Sequence, residues 1–580
     1  MAENRAANVN GDEDEDEALR IAIALSLGQD PNSASIDLTQ DDPAPEQIPE
    51  PLPPAISVPA PAQVSGIAGL DRKRMEEERI ARLNKRKAAE LGSPTMETAR
   101  PQQRQKTTTN DAPKSPIVST GGLGSAPTTT AAPLLPFPKG VVKKTWVYGQ
   151  RRLGDDIKIE EVLQKDKLEI AVISSFQWDE EWMLSKLDMT RTKLTLVAFA
   201  NNEAQQEEIR NNVPKSLIRF CFPPMSGSGY MHSKLQLLRY SNYLRIVIPT
   251  GNFVPYDWGE TGVMENMVFI IDLPLLETVE QRKAQKLTPF AEDLVYFLSA
   301  QGLDESLINS LQKFDFSETS RYAFVHSIAG PHTEGSWRRT GYCGLGRAVS
   351  GLGLACQGKI ELDVVTASIG AVNYDLLRGL YFACQGDSGL KQYQLRTARL
   401  KARTIAGGDD DTETLDKHIR VYFPSLQTVK ESRGGTDAAG PLCFQSQWWS
   451  AESFPRKILR DCQSTRQGVL MHSKILFVRQ YGSGTSGGRN FAYVGSANLS
   501  ESAWGRLVKE KGGTPKLTCR NWECGVVIEA PPRSKGETND SSSASSAEDL
   551  SIFLGRVPLP MKVPSVPLDG ERRPWFFRDA

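Results

Sequence analysis

Apolar positions along this chain fall into two stretches of the same grammar, preceded by a stretch that has few of them. Regular apolar spacing begins near Val141. Residues 157–163 read as a short helix, 168–174 as a strand and 178–187 as a helix. The continuous apolar run 194–200 suits a strand buried on both faces. A polar helix over 204–211 and a strand over 218–222 follow, and Pro223, Pro224 and a Gly/Ser turn lead into further apolar runs. Residues 289–301 form an amphipathic helix with Pro289 in its first turn. Gly330-Pro331 and the glycines of 341–346 break the pattern. It resumes with a strand at 360–366, a helix at 374–384 and a strand at 419–423. Strands alternating with helices predict an α/β fold, two similar α-β-α sandwich halves at 140–340 and 341–580.

One stretch occurs twice within this grammar. Tyr230-Met231-His232-Ser233-Lys234 leads into an apolar run, and so does Val469-Leu470-Met471-His472-Ser473-Lys474. Each copy continues to a second apolar run, a small-residue turn and an asparagine: Pro249-Thr250-Gly251-Asn252 in the first, Gly495-Ser496-Ala497-Asn498 in the second. Asparagine follows lysine by 18 residues in the first copy and by 24 in the second. A Gly/Ser-rich loop at 482–488 accounts for the difference. Two of the five histidines in the chain sit in this repeated frame.

In an extended segment residues i and i+2 share a face, so each motif projects a His and a Lys together. A single His-x-Lys pair is most often a surface accident, and a single His before an apolar strand is most often structural. Two identical copies with matching asparagines change that balance. If the halves pack about a pseudo-twofold axis, His232, His472, Lys234, Lys474, Asn252 and Asn498 converge on one pocket. That set suits a phosphodiester: lysine and amide donors match the non-bridging oxygens of a pentacoordinate transition state. One imidazole can attack phosphorus while the other handles the leaving-group proton. No metal-ligand cluster accompanies either motif, and neither a metal nor a cofactor is expected.

The formal net charge of −1 over 580 residues points to no particular partner. No apolar run is long enough to span a membrane, and no membrane partner is expected. The acidic N-terminus shows no secretory h-region. Eight cysteines without a C-x-x-C pair give neither a zinc nor a disulfide frame, so free thiols in a reducing compartment are expected. Residues 1–139 are poor in large apolar side chains and are expected to form a disordered regulatory tail. Three islands interrupt it. The acidic run before Ala18–Gly28, within 12–30, resembles a ubiquitin-interacting motif. Residues 35–42, Ser35-Ile36-Asp37-Leu38 followed by acids, resemble a SUMO-interacting motif that would add a strand to a sheet edge. Two basic clusters within 72–87, Arg72-Lys73-Arg74 and Lys85-Arg86-Lys87, resemble a bipartite import signal. A nuclear location is expected from them.

The paired motifs resemble those of the phospholipase D superfamily. The superfamily pattern His-x-Lys-x-x-x-x-Asp has lost its Asp in both copies, where Arg239 and Arg479 stand. That loss, with asparagine downstream, resembles the tyrosyl-DNA phosphodiesterase branch. So do Gly251-Asn252 leading to Asp257-Trp258, Asn498-Leu499-Ser500 leading to Ala503-Trp504-Gly505, Glu523-Cys524-Gly525-Val526, and Arg573-Pro574-Trp575. The resemblance covers about 140–580. It implies a metal-independent hydrolase that removes topoisomerase I-derived peptide, and other blocking adducts, from DNA 3′ ends, as a monomer. It implies His232 as the nucleophile of a phosphohistidine intermediate and His472 as proton donor and acceptor. Lys234, Lys474, Asn252 and Asn498 then hold phosphoryl oxygens, Glu523 orients His232, and Ser368 and Ser500 contact the DNA backbone. The glutamine that supports the second histidine falls near Val263 and is missing, leaving Glu265 or Asn266 as the expected substitute. Tyr230 is the nearest candidate for a base-stacking aromatic. A general nuclease, a phosphatidyl transferase, or a ubiquitin- or SUMO-binding scaffold on an inactive phosphodiesterase core are the competing readings.

Overall fold

Two mixed β-sheets carry the fold, and they repeat one strand order. The computed structural model describes residues 135–577, except 201, 214–215, 228, 403–409, 481–488, 511–512, 532–548 and 570. The tail islands at 12–30, 35–42 and 72–87 and the loop at 482–488 lie outside the described residues. Both sheets belong to one compact unit, which includes 135–206 and 213–577; Glu207–Asn212, the end of the helix Glu203–Asn211 and the residue after it, is grouped with a second unit.

From edge to edge the first sheet runs Asp156–Ile157, Val141–Thr145, Met267–Pro274, Tyr243–Pro249, Leu235–Arg239, Ile170–Ser174, Lys193–Val197 and Ile218–Cys221. The second runs Tyr322–Ser327, Glu523–Glu529, Phe491–Gly495, Ile475–Gln480, Ile360–Val365, Ile419–Phe423 and Leu459–Asp461. With Asp156–Ile157 set aside, the sheets match strand for strand. In each, four successive antiparallel pairings are followed by two parallel ones. The repeat therefore restarts at Tyr322. The expected division at 340/341 is corrected, because the strand Tyr322–Ser327 already belongs to the second sheet, in register with Glu523–Glu529.

The glycines of 341–346 are not a break either. They lie in the helix Gly341–Gly351. A Cβ on Gly346 would stand 1.8 Å from the Asp387 carbonyl oxygen, and one on Gly344 would stand 2.5 Å from that of Arg339. The glycines are there for close backbone approach, which outweighs their poor helix propensity. The neighbouring helix Tyr374–Cys384 falls where its amphipathic pattern predicts, opened by Asn373, whose side chain accepts from the Asp375 and Leu376 amides.

Side-chain alternation explains the layering. Val172, Leu237, Ile246 and Phe269 of the first sheet join Phe477, Ala492, Val494 and Val526 of the second in one shared core. Their strand neighbours Ile173, Leu238, Val247 and Ile270 face an outer layer with Val162 and Met183 from the helices Ile159–Leu163 and Glu180–Ser185. Leu362, Val364, Leu476 and Tyr493 do the same on the far side, under the helices Gly341–Gly351 and Tyr374–Cys384. The period of two in strand side chains thus gives helix–sheet–sheet–helix packing, with the two halves joined through their inner faces. Gly346→Ala should lower stability by about 1–3 kcal/mol, the usual cost of overpacking; urea unfolding of the two proteins measures it.

Candidate active site at the seam of the halves

Each motif precedes a core strand, and each is fastened to the opposite half. Met231 forms a parallel bridge to Trp522, and the His232 amide donates to the Trp522 carbonyl at 3.0 Å. Leu470–Met471 pairs in parallel with Met264–Glu265, and the His472 amide donates to the Glu265 carbonyl at 3.0 Å. The two histidines thereby enter the seam in equivalent ways. His232 is 8% exposed and His472 5%, while both lysines are fully buried.

The motif lysines fold back on their own segments. Lys234 Nζ donates to the His232 carbonyl at 2.7 Å, and Lys474 Nζ to the His472 carbonyl at 2.6 Å. Lys474 Nζ also reaches the Thr250 carbonyl of the other half at 3.1 Å.

Each imidazole is held by a carboxylate from the opposite half. His232 Nδ1 lies 2.9 Å from Glu523 Oε2. Glu523 is fixed in turn by Ser496 Oγ and by Asn521 Nδ2, which donates to Oε1 at 3.1 Å. His472 Nδ1 lies 2.9 and 3.1 Å from the two oxygens of Asp257. Asp257 accepts from the Asn252 amide at 2.6 Å and from Asn266 Nδ2 at 2.9 Å. A carboxylate offers only lone pairs, so Nδ1 carries the hydrogen in both rings and Nε2 is the nitrogen left for chemistry.

The expectation that Glu265 or Asn266 supports His472 is therefore corrected to Asp257. Glu265 is committed to Arg466 at 2.7 Å and to Ser464 Oγ, and only its main chain touches His472. Asn266 occupies the position equivalent to Glu523: the next amide bonds a Thr250 or Ser496 hydroxyl, Met267 to Thr250 at 2.9 Å and Cys524 to Ser496 at 3.0 Å. From there Asn266 reaches Asp257 rather than the ring. The sequence signal for Asp257 was its place five residues after Asn252, where the other copy has Ala503.

Asn498 Oδ1 accepts from the Ser368 amide at 3.0 Å and from the Ala367 amide and Thr366 Oγ1, both at 3.3 Å. Asn252 Nδ2 donates to Gln177 at 3.3 Å, and its buried Oδ1 has no hydrogen-bond partner. Ser368 is thus tied to the site through its main chain. Ser500 caps the helix Glu501–Trp504 by accepting from the Ala503 amide at 3.2 Å. Tyr230 is half-buried against Phe176 and Phe199, at ring separations of 5.9 and 6.4 Å. Phe176 also packs 5.1 Å from the His232 ring.

Burial dominates the electrostatics. It pushes His232 down to about 4 against the opposing pull of Glu523, with Lys234 and Lys474 adding to the depression. It pushes His472 to about 4 in the same way, against Asp257, with Lys474 and Lys234 adding. Burial lowers Lys234 to about 8, opposed by Glu523 and Asp257. Lys474 is driven well below its ordinary range by burial and then by Lys234. Burial alone would raise Asp257, but His472 and Lys474 hold it below the usual carboxylate range. Each imidazole feels the lysines of both motifs, and Lys474 feels Lys234, as one site requires. No group of three or more His, Cys, Asp or Glu that could hold a metal lies among the described residues, and no helix among them is long and apolar enough to cross a membrane.

Two repeated halves, each bringing one His-x-Lys segment to a shared seam, define a phospholipase D-like protein. The profile of the tyrosyl-DNA phosphodiesterase family matches residues 141–569, and the chain belongs to that family. It is similar to tyrosyl-DNA phosphodiesterase 1 of Drosophila melanogaster, with 22% identity over 449 residues, 73% of this chain and 70% of that protein. The Arabidopsis thaliana tyrosyl-DNA phosphodiesterase 1 is 21% identical over 471 residues, covering 73% and 71%. The crystal structure of the yeast tyrosyl-DNA phosphodiesterase shares the fold at a TM-score of 0.52 and 18% identity, covering 75% of this chain and all of that one.

The depressed histidines make stability depend on pH. Their folded-state values lie below the ordinary 6.5, so the unfolded chain takes up protons first as pH falls. Their contribution is complete above about pH 6.5 and is lost as pH drops toward 4, by up to about 1.4 kcal/mol per pH unit for each ring. Urea unfolding at pH 7.5 and pH 5 should show that loss in the wild type and a smaller one in His232→Asn and His472→Asn.

Proposed function

We propose that this protein is a DNA-repair phosphodiesterase that hydrolyses the 3′-phosphotyrosyl bond between DNA and a topoisomerase I-derived peptide, leaving a 3′-phosphate. The observation that carries the reading is the pair of imidazoles with Nδ1 fixed and Nε2 free, set beside two buried ammonium groups at one seam. His232 Nε2 gives its electron pair to phosphorus, and the bond from phosphorus to the tyrosine oxygen breaks with its pair on oxygen. His472 Nε2 gives that oxygen a proton. Water then attacks the phosphohistidine and passes a proton to His472, and the pair of the broken nitrogen–phosphorus bond returns to His232. Lys234 and Lys474 neutralise the phosphoryl oxygens, Asn252 and Asn498 supply amide donors, and Glu523 orients His232. The lysines take the charge-neutralising role that a metal fills elsewhere, so the reaction is metal-independent. Ser368, Ser500 and Tyr230 lie along the path of the DNA strand, and other 3′ blocking groups on single- or double-stranded DNA enter by the same route.

The N-terminal tail recruits the enzyme to tagged adducts in the nucleus through its ubiquitin- and SUMO-interacting motifs, and the enzyme acts as a monomer. An oligonucleotide ending in 3′-phosphotyrosine should be converted to the 3′-phosphate in the presence of EDTA. His472→Ala should accumulate a covalent protein–DNA adduct visible on a denaturing gel, and His232→Ala should form none; an adduct in the latter would reverse the assignment of the rings. For the tail, the double variant Ala22→Arg, Ser26→Arg should lose capture on ubiquitin beads.

A further inference from the structure

The second histidine has a partner of a different kind from the amide that the missing glutamine would supply, and this bears on which step the partner controls. We infer that Asp257 is a positioning residue whose carboxylate holds the proton of His472 in place for release to the tyrosine oxygen, so that loss of its charge selectively impairs expulsion of poor leaving groups. The inference rests on the reading above and deepens it.

Geometry carries the argument. Both carboxylate oxygens face His472 Nδ1, at 2.9 and 3.1 Å. Asp257 is fully buried and cannot swing away. The Asn252 amide and Asn266 Nδ2 hold it from two sides, and Thr250 Oγ1 orients Asn266 by donating to its Oδ1 at 2.9 Å. The same loop thus carries the Asn252 side chain and the anchor of the proton donor. A neutral amide in this place could fix the ring but not favour its cationic form. An ionised carboxylate does both.

The charged groups around the ring define what that does. Asp257 favours the imidazolium, while Lys474 on its own segment and Lys234 across the seam oppose it. Glu523 lies near enough to Lys474 to share its charge. With Asp257 made neutral, two cations face the ring without their nearest counter-charge, and His472 gives up its proton at lower pH. His232 keeps Glu523, and any loss of charge support at Lys234 and Lys474 falls on all substrates alike, but the departing oxygen leaves without help. A tyrosine phenolate suffers from this, whereas a nitrophenolate, which leaves unprotonated, does not. The second step is slowed equally for both substrates, because both converge on the same phosphohistidine.

The test compares Asp257→Asn, Asp257→Glu and wild type in single turnover on two oligonucleotides, one ending in 3′-phosphotyrosine and one in a 3′-(4-nitrophenyl) phosphodiester, between pH 5.5 and 8.5. For Asp257→Asn, adduct formation should fall roughly 10- to 100-fold on phosphotyrosine but less than about threefold on the nitrophenyl ester. The alkaline limb on phosphotyrosine should also move to lower pH. Asp257→Glu should restore part of the rate and the wild-type limb. Equal losses on both substrates, or an unmoved limb, overturn the inference and leave Asp257 a structural residue. If Asp257→Asn does not fold, Asn266→Ala, which keeps the carboxylate but removes a donor that fixes it, should give the same skew at smaller size; an even loss there overturns it too. Wild-type enzyme that leaves phosphotyrosine uncut would sink the proposed function itself, an outcome distinct from wild-type activity with an unskewed Asp257→Asn.

Discussion

Two ammonium groups buried without any exposure, Lys234 and Lys474, are the constraint to which the rest of the site answers. Each loses its hydration on folding, and they repel one another. Their own motif carbonyls satisfy some of their hydrogens, but carbonyls carry no full charge. The compensating charge comes from two carboxylates, and neither lies in a motif. Glu523 on the second sheet serves the first histidine, and Asp257 in the loop after Asn252 serves the second. Both lysines feel both acids. A half taken alone would keep a buried cation and lose the acid that holds its histidine, so the seam is an electrostatic necessity as well as an apolar core. Arg466 extends the same logic outward, joining Glu265 and Asp156 of the first half at 2.7 and 3.3 Å.

The reciprocal fastening also shows how a duplicated fold can yield unequal histidines. Main-chain bonds to the two motifs are equivalent on both sides, and the hydroxyls of Thr250 and Ser496 bond matching amides. Side chains break the symmetry at two places. Glu523 stands where the first half has Asn266, and Asp257 stands where the second half has Ala503. The carboxylate of one half therefore reaches its imidazole from a strand, and that of the other from a loop that also presents Asn252. Strand and loop differ in what they link. Glu523 is braced by Ser496 and Asn521, while Asp257 is braced by the main chain of a residue proposed to bind phosphate.

Much of this was legible in the sequence because it repeats. The motif pairs, the asparagines and the strands that carry them are local patterns, and a pattern seen twice is hard to ascribe to chance. Strands 360–365 and 419–423 fall within a residue of their predicted bounds, because a continuous apolar run between polar turns has few other readings. Asp257 was not legible as a partner of His472. The two are separated by 215 residues, and counting along the chain from the family's missing glutamine leads to Glu265 and Asn266, whose side chains turn elsewhere. The glycines of 341–346 misled for a related reason. Glycine marks a turn or a close approach alike, and only the Asp387 carbonyl beside Gly346, 41 residues away, decides between them. The tail motifs lie outside the described residues, and their reading rests on sequence alone.

The proposed proton donor, His472, is depressed to about 4, and the charge balance of the seam offers a way for it to work near neutral pH. The seam sets two lysines against two carboxylates, Glu523 and Asp257, each hydrogen-bonded to a ring. A phosphodiester adds one negative charge to a region from which water is largely excluded, and a low effective dielectric makes an uncompensated charge expensive. The cheapest compensation is a proton on an imidazole that already faces a carboxylate. In the proposed reaction, substrate binding therefore raises the affinity of the rings for a proton by the same burial that lowers it in the free protein. In the proposed reaction the ring bonded to phosphorus has its Nε2 pair engaged, so the proton goes to the other. In the proposed reaction, burial keeps His232 unprotonated before the substrate arrives, and the charge of the substrate, not burial, draws a proton onto His472.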